Sequence, residues 1–556
     1  MMIFRASHGA VMSSWFYVAS GDDESRHGYV VTGFGGGAVA TTTTTTTTTT
    51  GDGDVDVERG DGGTTTASGL KPPMMSVHAR NGSDVSVMSY ASAMSVVVPT
   101  MVEEHARVSI AVGDVIRCAC STTRGANGDD QVWAVVIKAN HRVRIGPILK
   151  KKRSSKVKEY RFEFASEAAM RSAALEAALA CGLNDRGDYD LSASGRRRLL
   201  VIVNPKSGKG DGVKIWETKA AVVLRAAGFE FDVKTTTGTK EATRVARSAD
   251  LSKYTGIVAV GGDGTVAELF QGLGERDDAV RAMKVPIGII PAGSGNALCK
   301  SIQSDANEFC DPVSCAVTIA RGHARALDRA EIKFQDQTTK GWSSTKTTHS
   351  LLSTSWGFFS DVDIESEKFR CLGGLRFTLQ AIVRIISRRM YRCKLMYETN
   401  ELGETHNATH SLGPIGEPVA NRPGWRVVEG EILGLWALNV PWGTETTLAA
   451  PHAKFDDGSI DLVIVRPTNR RNMLKLLLAF DAGEHVNNRA VEYIKAKSFE
   501  LYPEENCSNK AGGFIAVDGE VAAQRYDPKR SQEKYGPFRC DVSRAGCQVF
   551  APSSTL

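Results

Sequence analysis

The chain has 556 residues, which is too many for one hydrophobic core and predicts two or three domains. Its formal net charge is only +5 with 24% charged residues, so nucleic acid is not an expected partner, and no apolar run reaches the roughly 18 residues that cross a bilayer. The 11 cysteines are scattered without C-x-x-C spacing, which is typical of reduced thiols. We therefore expect a cytoplasmic protein without a signal peptide, whose contact with membranes is peripheral.

The N-terminal third divides into two parts. Residues 1–103 are rich in Gly, Ser and Thr and include ten consecutive threonines at 41–50, so they are predicted to be disordered. Residues 104–183 contain short strand patterns followed by a helix that Ser166 caps, an order that resembles a PH-like domain. The basic run 150–153 would then meet acidic headgroups; the alternative is a small packing domain with a solvated basic loop. The predicted strands are 107–112, 131–137, 142–145 and 160–164.

A linker is predicted at 184–195 and a catalytic domain at 196–325. The catalytic domain opens with a buried-strand pattern at 199–203, which leads into the glycine-rich loop 204–210 and then a helix over 213–227. This loop lacks the G-x-x-x-x-G-K spacing of a Walker loop. Its backbone donors and lysines nevertheless suit a phosphate.

Two further strands end in glycine loops. The apolar run 257–260 leads into Gly-Gly-Asp-Gly-Thr at 261–265, and the strand 287–290 leads into a loop at 291–296, where Asn296 is predicted to cap the next helix. A helix is also predicted after residue 265, because one apolar stripe follows at helical spacing: Val266, Leu269, Phe270 and Leu273.

Each of these loops would by itself be no more than a tight turn. The hydroxyl-rich turn 235–238, after a strand at 229–233, is equally ambiguous. Because the carboxyl ends of parallel strands meet at one edge of a sheet, three glycine loops in an alternating β/α pattern predict a nucleotide phosphate site. Asp263 stands at a strand-to-helix junction within this edge, where a carboxylate can also accept a proton.

Residues 326–550 are predicted to form a β-rich domain that closes over the first, with its end packing back on the catalytic domain. Two apolar helices interrupt the strands and are predicted to be core helices rather than lipid-contacting ones. The second of them spans 473–480. The first would bury Leu379, Ile382, Val383, Ile386 and Met390. The predicted strands are 432–440, 460–465, 499–502 and 514–517.

The motifs together resemble a known family. The three glycine loops are similar to those of the diacylglycerol, ceramide and sphingosine lipid kinases, and the stretches 355–370, 375–379 and 516–520 resemble the sphingosine kinases within that family. The resemblance covers roughly 196–550. It implies an α/β N-terminal kinase domain with a parallel, Rossmann-like sheet and glycine-rich phosphate loops, followed by a β-rich antiparallel C-terminal lipid-binding domain.

The resemblance also implies an activity and roles for residues. ATP with Mg²⁺ would donate a phosphoryl group to the primary hydroxyl of a long-chain base, and Asp263 would be the general base. Asp363, with Phe358 and Ser294, would bind the lipid, and Glu367 would organise the phosphates. The implied ATP-binding residues are Asn204, Pro205, Lys206, Ser207, Gly208, Thr236, Gly262, Gly264, Glu268, Ser294, Gly295, Asn296, Arg370, Arg376, Asp518, Gly519 and Glu520.

One position departs from the family, because Lys206 stands where animal members have arginine, which keeps the charge and loses the bidentate fork. The alternatives are a ceramide or diacylglycerol kinase, an NAD kinase, and an inactive lipid sensor recruited to membranes by residues 104–183. The Asp363 stretch favours a substrate with an amine over diacylglycerol. The loop beginning at Asn204 is unexplained by an NAD kinase.

Overall fold

The structure is a computed structural model. It describes residues 114–124, 131–144, 151–153, 155–164, 166–180, 197–335, 342–372, 375–399, 417–504, 513–523 and 537–552, together with five short strands before residue 111. These strands are β1 (Met2–Ile3), β2 (Trp15–Ser20), β3 (His27–Thr32), β4 (Val77–Ala79) and β5 (Ser109–Ile110). Apart from β1 to β4, the segment predicted to be disordered lies outside the described residues, as does the predicted linker 184–195.

A four-stranded antiparallel sheet with one helix precedes the catalytic domain. Its strand order is β4-β10-β7-β6, and α1 packs on β6, β7 and β10. The predicted strands near 131, 142 and 160 and the predicted helix are present, whereas β6 was not predicted. A likeness to PH domains stays a prediction. The elements are β6 (Val115–Arg124), β7 (Gln131–Ala139), β8 (Arg142–Arg144), β9 (Lys151–Arg153), β10 (Lys158–Phe164) and α1 (Glu167–Ala180).

The basic run at 150–153 was predicted to lie in a connection that faces acidic headgroups, and for Arg153 this prediction is wrong. Arg153 lies in β9 and its side chain is 1% exposed. Its guanidinium donates to Asp114 Oδ1 at 2.8 Å and to Asn140 O at 2.7 Å. It also donates to Glu308 Oε1 at 3.0 Å, which joins the separate two-stranded sheet β8-β9 to the segment before Pro312. A buried guanidinium needs such partners, so Arg153 is unavailable to a headgroup.

The catalytic domain is a parallel sheet with helices. The strands run β12-β11-β13-β14 in space, and β13 and β14 are buried along their whole length, as expected of strands covered on both faces. The four residues of the predicted stripe after Asp263 are all buried. The strands are β11 (Arg197–Val203), β12 (Phe229–Thr235), β13 (Gly256–Gly261) and β14 (Ile287–Pro291).

The helices of this domain follow the strands in alternation. The first is continuous through a π-helical segment at Trp216–Ala220. The α-helices are α2 (Gly212–Ile215), α3 (Ala221–Ala226), α4 (Glu241–Ser248), α5 (Asp263–Gly274), α6 (Ala279–Ala282), α7 (Ala297–Ser304) and α8 (Pro312–Arg321). A short 3₁₀ turn of this domain lies at Leu251–Lys253, and two more lie in the C-terminal half at Glu367–Leu372 and Glu484–Asn487.

The C-terminal half is mostly antiparallel. Its helices are α9 (Phe358–Ser366), α10 (Leu375–Ser387) and α11 (Arg470–Ala479). Its strands are β15 (Ala324–Gln335), β16 (Trp342–Ser350), β17 (Ser353–Gly357), β18 (Tyr391–Glu398), β19 (Glu417–Pro418), β20 (Trp425–Ile432), β21 (Gly434–Leu438), β22 (Ile460–Val465), β23 (Val491–Ala496), β24 (Ser498–Pro503), β25 (Ile515–Val517), β26 (Glu520–Ala523) and β27 (Phe538–Phe550).

Two sheets organise these strands. One is six-stranded, in the order β23-β22-β21-β17-β25-β26. The other continues the parallel sheet, because β27 pairs in parallel with β14 through Val549 and Ile287 and antiparallel with β15 and β24. The last strand thus packs against the catalytic domain and ties both halves into one sheet.

The prediction that α10 is a core helix is wrong for most of the face that was expected to be buried. Leu379, Ile382 and Ile386 are 40%, 41% and 63% exposed. The buried face carries the polar Arg376 and Gln380 together with Ala381 and Ile385. These polar side chains pair with carboxylates of neighbouring segments, and that pairing turns the apolar stripe to the surface.

In α11 the prediction holds in part, since Met473 and Leu476 are buried whereas Leu474 and Leu478 are 47% and 71% exposed. Within the described ranges, no helix has both the length and the hydropathy to span a membrane.

Candidate active site

The three glycine loops lie against one another at the carboxyl edge of the parallel sheet. A Cβ on Gly208, whose φ is +59°, would lie 2.5 Å from Ala292 O. A Cβ on Gly262 would lie 2.7 Å from Gly295 O, and one on Gly293 would lie 2.4 Å from the Gly262 Cα. Because even a methyl group would collide with backbone here, glycine is required for the loops to approach this closely.

Asn204 links the first loop to the second. Its Nδ2 donates to Thr265 Oγ1 at 3.2 Å, and its Oδ1 accepts from Lys206 N at 3.0 Å. Ser207 is buried, whereas Lys206 is exposed. Thr236, from the hydroxyl-rich turn, is buried beside this loop and donates its N–H to Val203 O at 2.8 Å. Thr236 and the first loop thus lie at the same edge of the sheet, and their contact with a nucleotide stays a prediction.

Asp263 is the first residue of α5, and its carboxylate caps a different helix. Oδ2 accepts from Ala297 N at 2.8 Å and Oδ1 accepts from Leu298 N at 3.2 Å, which satisfies two of the free N–H groups at the start of α7. Burial raises the pKa of Asp263 to about 6, although these two backbone hydrogen bonds oppose the rise. Asp263 is therefore ionised at neutral pH and still close enough to its pKa to take up a proton.

The prediction that the Asn296 side chain caps α7 is wrong. Asn296 occupies the N-cap position, but its side chain makes no capping hydrogen bond. Its Nδ2 donates to Gly293 O at 3.0 Å and also to the carboxylate of Glu445. Glu445 belongs to a loop after β21 that also packs on α7, where Trp442 N donates to Ser301 Oγ at 3.1 Å. The sequence contains no signal for this contact, because a single acid in a threonine-rich turn has no recognisable pattern.

A second carboxylate, Asp363, is presented by α9. Gly357 precedes this helix with a φ of +76°, and a Cβ there would lie 2.8 Å from Leu433 O, so only glycine permits the turn from β17. Burial raises the pKa of Asp363 to about 7; Arg376 lowers it, while Glu367, Glu520 and Asp263 raise it further. The two carboxylates therefore share one electrostatic environment.

The other predicted residues of this segment lie on α9, on α10 and in the turn between them. Arg376 is buried on α10 and donates to the Glu367 carboxylate. Arg370 lies in the 3₁₀ turn Glu367–Leu372. Phe358 and Phe359 open α9 and contact each other edge-to-face with ring centroids 5.7 Å apart.

The turn between β25 and β26 supplies the remaining carboxylates. Asp518 and Gly519 have φ values of +48° and +83°. A Cβ on Gly519 would lie 3.6 Å from Asp363 Oδ2, and one on Gly264 would lie 3.4 Å from Glu520 Oε1. The turn thus brings Glu520 to the glycine loop of Asp263 and presents its own backbone to Asp363.

Asp518 holds the turn that precedes β17. Its Oδ1 accepts from Ser350 Oγ at 2.6 Å and from the N–H groups of Leu352 and Ser353 at 3.1 and 2.9 Å. Its Oδ2 accepts from Leu351 N at 3.1 Å, and burial raises its pKa. The carboxylate is thereby occupied in holding the turn before β17, so Asp518 positions its neighbours. A direct contact with a nucleotide stays a prediction.

A buried polar network that the sequence did not indicate supports α9. Asp361 is 0% exposed; its Oδ1 accepts from Gly513 N at 2.7 Å, and its Oδ2 accepts from Arg389 Nη1 at 2.9 Å. Arg389 also donates to Glu365 Oε1 at 2.7 Å, and Gln380 donates to Glu365 Oε2 at 2.7 Å. These bonds fix α9 against α10 and so fix the direction of Asp363.

Three further predicted residues are Pro205 in the first loop, Ser294 in the third loop and Glu268 in the second turn of α5. No cluster of three His, Cys, Asp or Glu side chains that could bind a metal alone occurs in the described part of the chain. A divalent cation here would need oxygen ligands from its phosphate partner as well as from a carboxylate, which is the usual arrangement for Mg²⁺.

Two family models match the chain. The diacylglycerol kinase catalytic domain matches residues 198–332, and the YegS C-terminal NAD kinase beta sandwich-like domain matches residues 439–531. The chain is 34% identical to sphingosine kinase 1 of Arabidopsis thaliana over 66% of this chain and 78% of the relative. It is 32% identical to sphingosine kinase 1 of Homo sapiens over 58% of this chain and 86% of the relative. Among solved structures, a diacylglycerol kinase from Bacillus anthracis str. Sterne is 21% identical, with a TM-score of 0.45, over 65% of this chain and 99% of that chain.

Proposed function

The chain belongs to the sphingosine kinase family of lipid kinases, and from this premise we propose that it phosphorylates the primary hydroxyl of sphingosine and related long-chain bases to the 1-phosphate, with ATP as donor. The observation that carries the proposal is the meeting of two carboxylates of raised pKa: Asp263 among the glycine loops and Asp363 on the facing α9.

Asp263 is the proposed general base. Its pKa of about 6 leaves it mostly ionised at neutral pH, and a base with a pKa near the working pH is the most effective one. The N–H groups of Ala297 and Leu298 fix both of its oxygens. Because the carboxylate has further lone pairs, a lipid hydroxyl can donate to it while both backbone bonds remain.

The three glycine loops are the proposed phosphate site. The close backbone approaches at Gly208, Gly262 and Gly293 leave no side chain between the main chain and a phosphate. Lys206 of the first loop and the α5 N-terminus would add positive potential. Mg²⁺ bound with the phosphates would neutralise charge in the transfer, and Glu520 or Glu268 would be its protein ligand.

Asp363 is the proposed partner of the substrate's amine. Burying a carboxylate costs free energy, which is why the pKa of Asp363 rises to about 7. A protonated amine beside it would offset that cost, whereas the neutral head of diacylglycerol would not. Retention of this carboxylate therefore favours a long-chain base over diacylglycerol.

The proposed surface for the lipid chain begins on α9, the helix that carries Asp363. Phe359 packs on Trp436 and Phe480 with ring centroids 5.0 and 5.8 Å away, and these rings would contact methylenes worth about 0.8 kcal/mol each. The exposed apolar side chains of α10 and α11 would rest on the bilayer from which the substrate is taken. We propose a cytoplasmic protein that associates peripherally with membranes in this way.

The test compares substrates and variants in one assay of labelled phosphate transfer from ATP. Wild-type protein receives sphingosine, ceramide or diacylglycerol in matched mixed micelles, and sphingosine should be the preferred acceptor. Asp263→Asn should abolish transfer, whereas Asp277→Asn, an exposed carboxylate in the turn after α5, should leave it unchanged. Preference for diacylglycerol would contradict the proposed substrate. Near-normal turnover of Asp263→Asn would contradict the assignment of Asp263 as the base. An inactive wild type that still binds sphingosine would favour a lipid sensor.

A further inference from the structure

Three cysteines lie together directly behind the third glycine loop. Cys299 belongs to α7, Cys315 belongs to α8, and Cys310 lies in the segment that connects these helices. Cys299 Sγ and Cys315 Sγ are 3.3 Å apart, and Cys310 Sγ lies 4.0 Å from Asn296 O, at the start of the helix that carries Cys299. Cys299 and Cys315 are 2% and 1% exposed, whereas Cys310 is only partly buried.

The environment of Cys310 differs from that of other buried thiols in the described part of the chain. Hydrogen bonds from Cys299 and Cys315 lower the pKa of Cys310, Lys300 lowers it further, and burial opposes this. Burial instead raises the pKa of Cys547 to about 12. Since the thiolate is the reactive form of cysteine, Cys310 combines the access and the ionisation that oxidation requires.

The segment that carries Cys310 is held on both sides. Glu308 accepts from Arg153 Nη2 at 3.0 Å, so strand β9 anchors the residue two positions before Cys310. Asp311 caps α8, with its Oδ1 accepting from Val313 N at 3.0 Å. Two anchored neighbours keep the Cys310 thiol against the buried pair.

We propose that Cys310 is an oxidation site, and that peroxide converts it to a sulfenic acid which Cys299 resolves to an intramolecular disulfide. The Cys310 thiolate attacks one oxygen of the peroxide and breaks the O–O bond, and the leaving hydroxide takes a proton to become water. The Cys299 sulfur, losing its proton, then attacks the Cys310 sulfur, so that the S–S bond forms as the S–O bond breaks and a second water leaves. Two thiols are oxidised by two electrons in total, and a dithiol reductant reverses the change.

Formation of the disulfide should displace the proposed base, Asp263, because α7 connects the two sites. The sulfurs must approach to about 2.05 Å, and the anchored Cys310 segment leaves the first turn of α7 to move. Cys299 directly follows Leu298, whose N–H, with that of Ala297, holds the Asp263 carboxylate. This consequence rests on the proposed function, because it assumes that Asp263 is the base; the oxidation site itself does not depend on it.

The covalent test needs no assay of activity. The reduced full chain is treated with hydrogen peroxide, its remaining thiols are blocked, and it is cleaved with trypsin and an endoproteinase that cuts before aspartate. These cuts place Cys299 in peptide 285–300, Cys310 in 305–310 and Cys315 in 311–321. A cross-link between the first two peptides is expected, and Cys547 should remain a free thiol as the internal control. A bond from Cys315 to either cysteine, or oxidation of Cys310 without any bond, would overturn the proposal.

Two variants and one activity measurement complete the test. Cys310→Ser should prevent the cross-link, and Cys299→Ser should leave a sulfenic acid on Cys310 that dimedone traps; absence of the adduct would count against Cys299 as the resolving thiol. Oxidised wild type should lose activity by about tenfold or more and recover it with dithiothreitol, since small misplacements of catalytic groups are costly. A cross-linked protein of unchanged activity would overturn the coupling to Asp263. If the protein is already inactive before oxidation, the proposed function is contradicted. The peptide map would still show whether Cys310 forms the disulfide with Cys299.

Discussion

Replacing Asp363 by asparagine should stabilise the folded chain while removing the carboxylate that we propose for binding the amine. The physical reason is that the folded protein buries this carboxylate and surrounds it with Glu367, Glu520 and Asp263, against which Arg376 is the compensating charge. Asparagine has nearly the same shape and carries no charge. Asp263 is less suitable for this experiment, because its removal also takes an acceptor from α7.

The pH dependence follows from the sign of the shift. The pKa of Asp363 in the folded chain, about 7, is above its ordinary value of 3.8, so the folded state holds the proton more tightly than the unfolded state. Its contribution to stability is complete below about pH 4 and is lost as the pH rises towards 7. The full shift corresponds to at most about 4 kcal/mol, of which about 3 kcal/mol would develop between pH 5 and pH 8. The effective dielectric constant of about 20 that applies even to buried charges should reduce this stabilisation of Asp363→Asn over wild type to about 1–2 kcal/mol.

The measurement is denaturant or thermal unfolding of wild type, Asp363→Asn and the exposed control Asp277→Asn at pH 5 and pH 8. Asp363→Asn should unfold later than wild type at pH 8 and with a smaller difference at pH 5, while Asp277→Asn should follow wild type at both. The same variant should lose phosphorylation of sphingosine. Equal stabilisation at both pH values, or destabilisation at pH 8, would show that burial does not raise the pKa of Asp363 as the structure indicates.

Three further predictions concern the glycine loops, the base and the turn before β17. Gly262→Ala should lower kcat/KM by at least about tenfold, because its Cβ would lie 2.7 Å from a backbone oxygen, whereas Gly238→Ala, with no atom within 4 Å of its Cβ, should be neutral. The kcat/KM of wild type should rise with pH through about 6 as Asp263 loses its proton, and a profile that is flat from pH 5 to 8 would contradict its role as base. Asp518→Asn should destabilise the fold by about 1–3 kcal/mol in thermal unfolding, because an amide nitrogen cannot accept the hydrogen bonds that Asp518 receives; a wild-type melting temperature would refute this.

The sequence by itself predicted the alternation of strands and helices in the catalytic domain and the convergence of its three glycine loops. Strands β13 and β14 are short and wholly apolar, and the α5 stripe repeats at helical spacing, so local pattern was sufficient. The position of Asp263 among these loops also followed from the sequence, because Asp263 stands directly beside Gly262 and Gly264; its role as base stays a proposal. Strand β6 escaped prediction, because its cysteines, serine and threonines do not form an alternating apolar pattern.

Only the tertiary structure decided which polar groups pair with one another around the candidate site. An apolar stripe on α10 predicts that one face is buried, but Arg376 and Gln380 find carboxylates on the opposite side, and those pairings leave Leu379 and Ile386 at the surface. The cap of α7 comes from Asp263, 34 residues earlier in the chain, rather than from the adjacent Asn296. Hydrogen bonds and charges act over a few ångströms in space irrespective of their distance in sequence, so the partners of a buried polar group emerge only when the chain is folded.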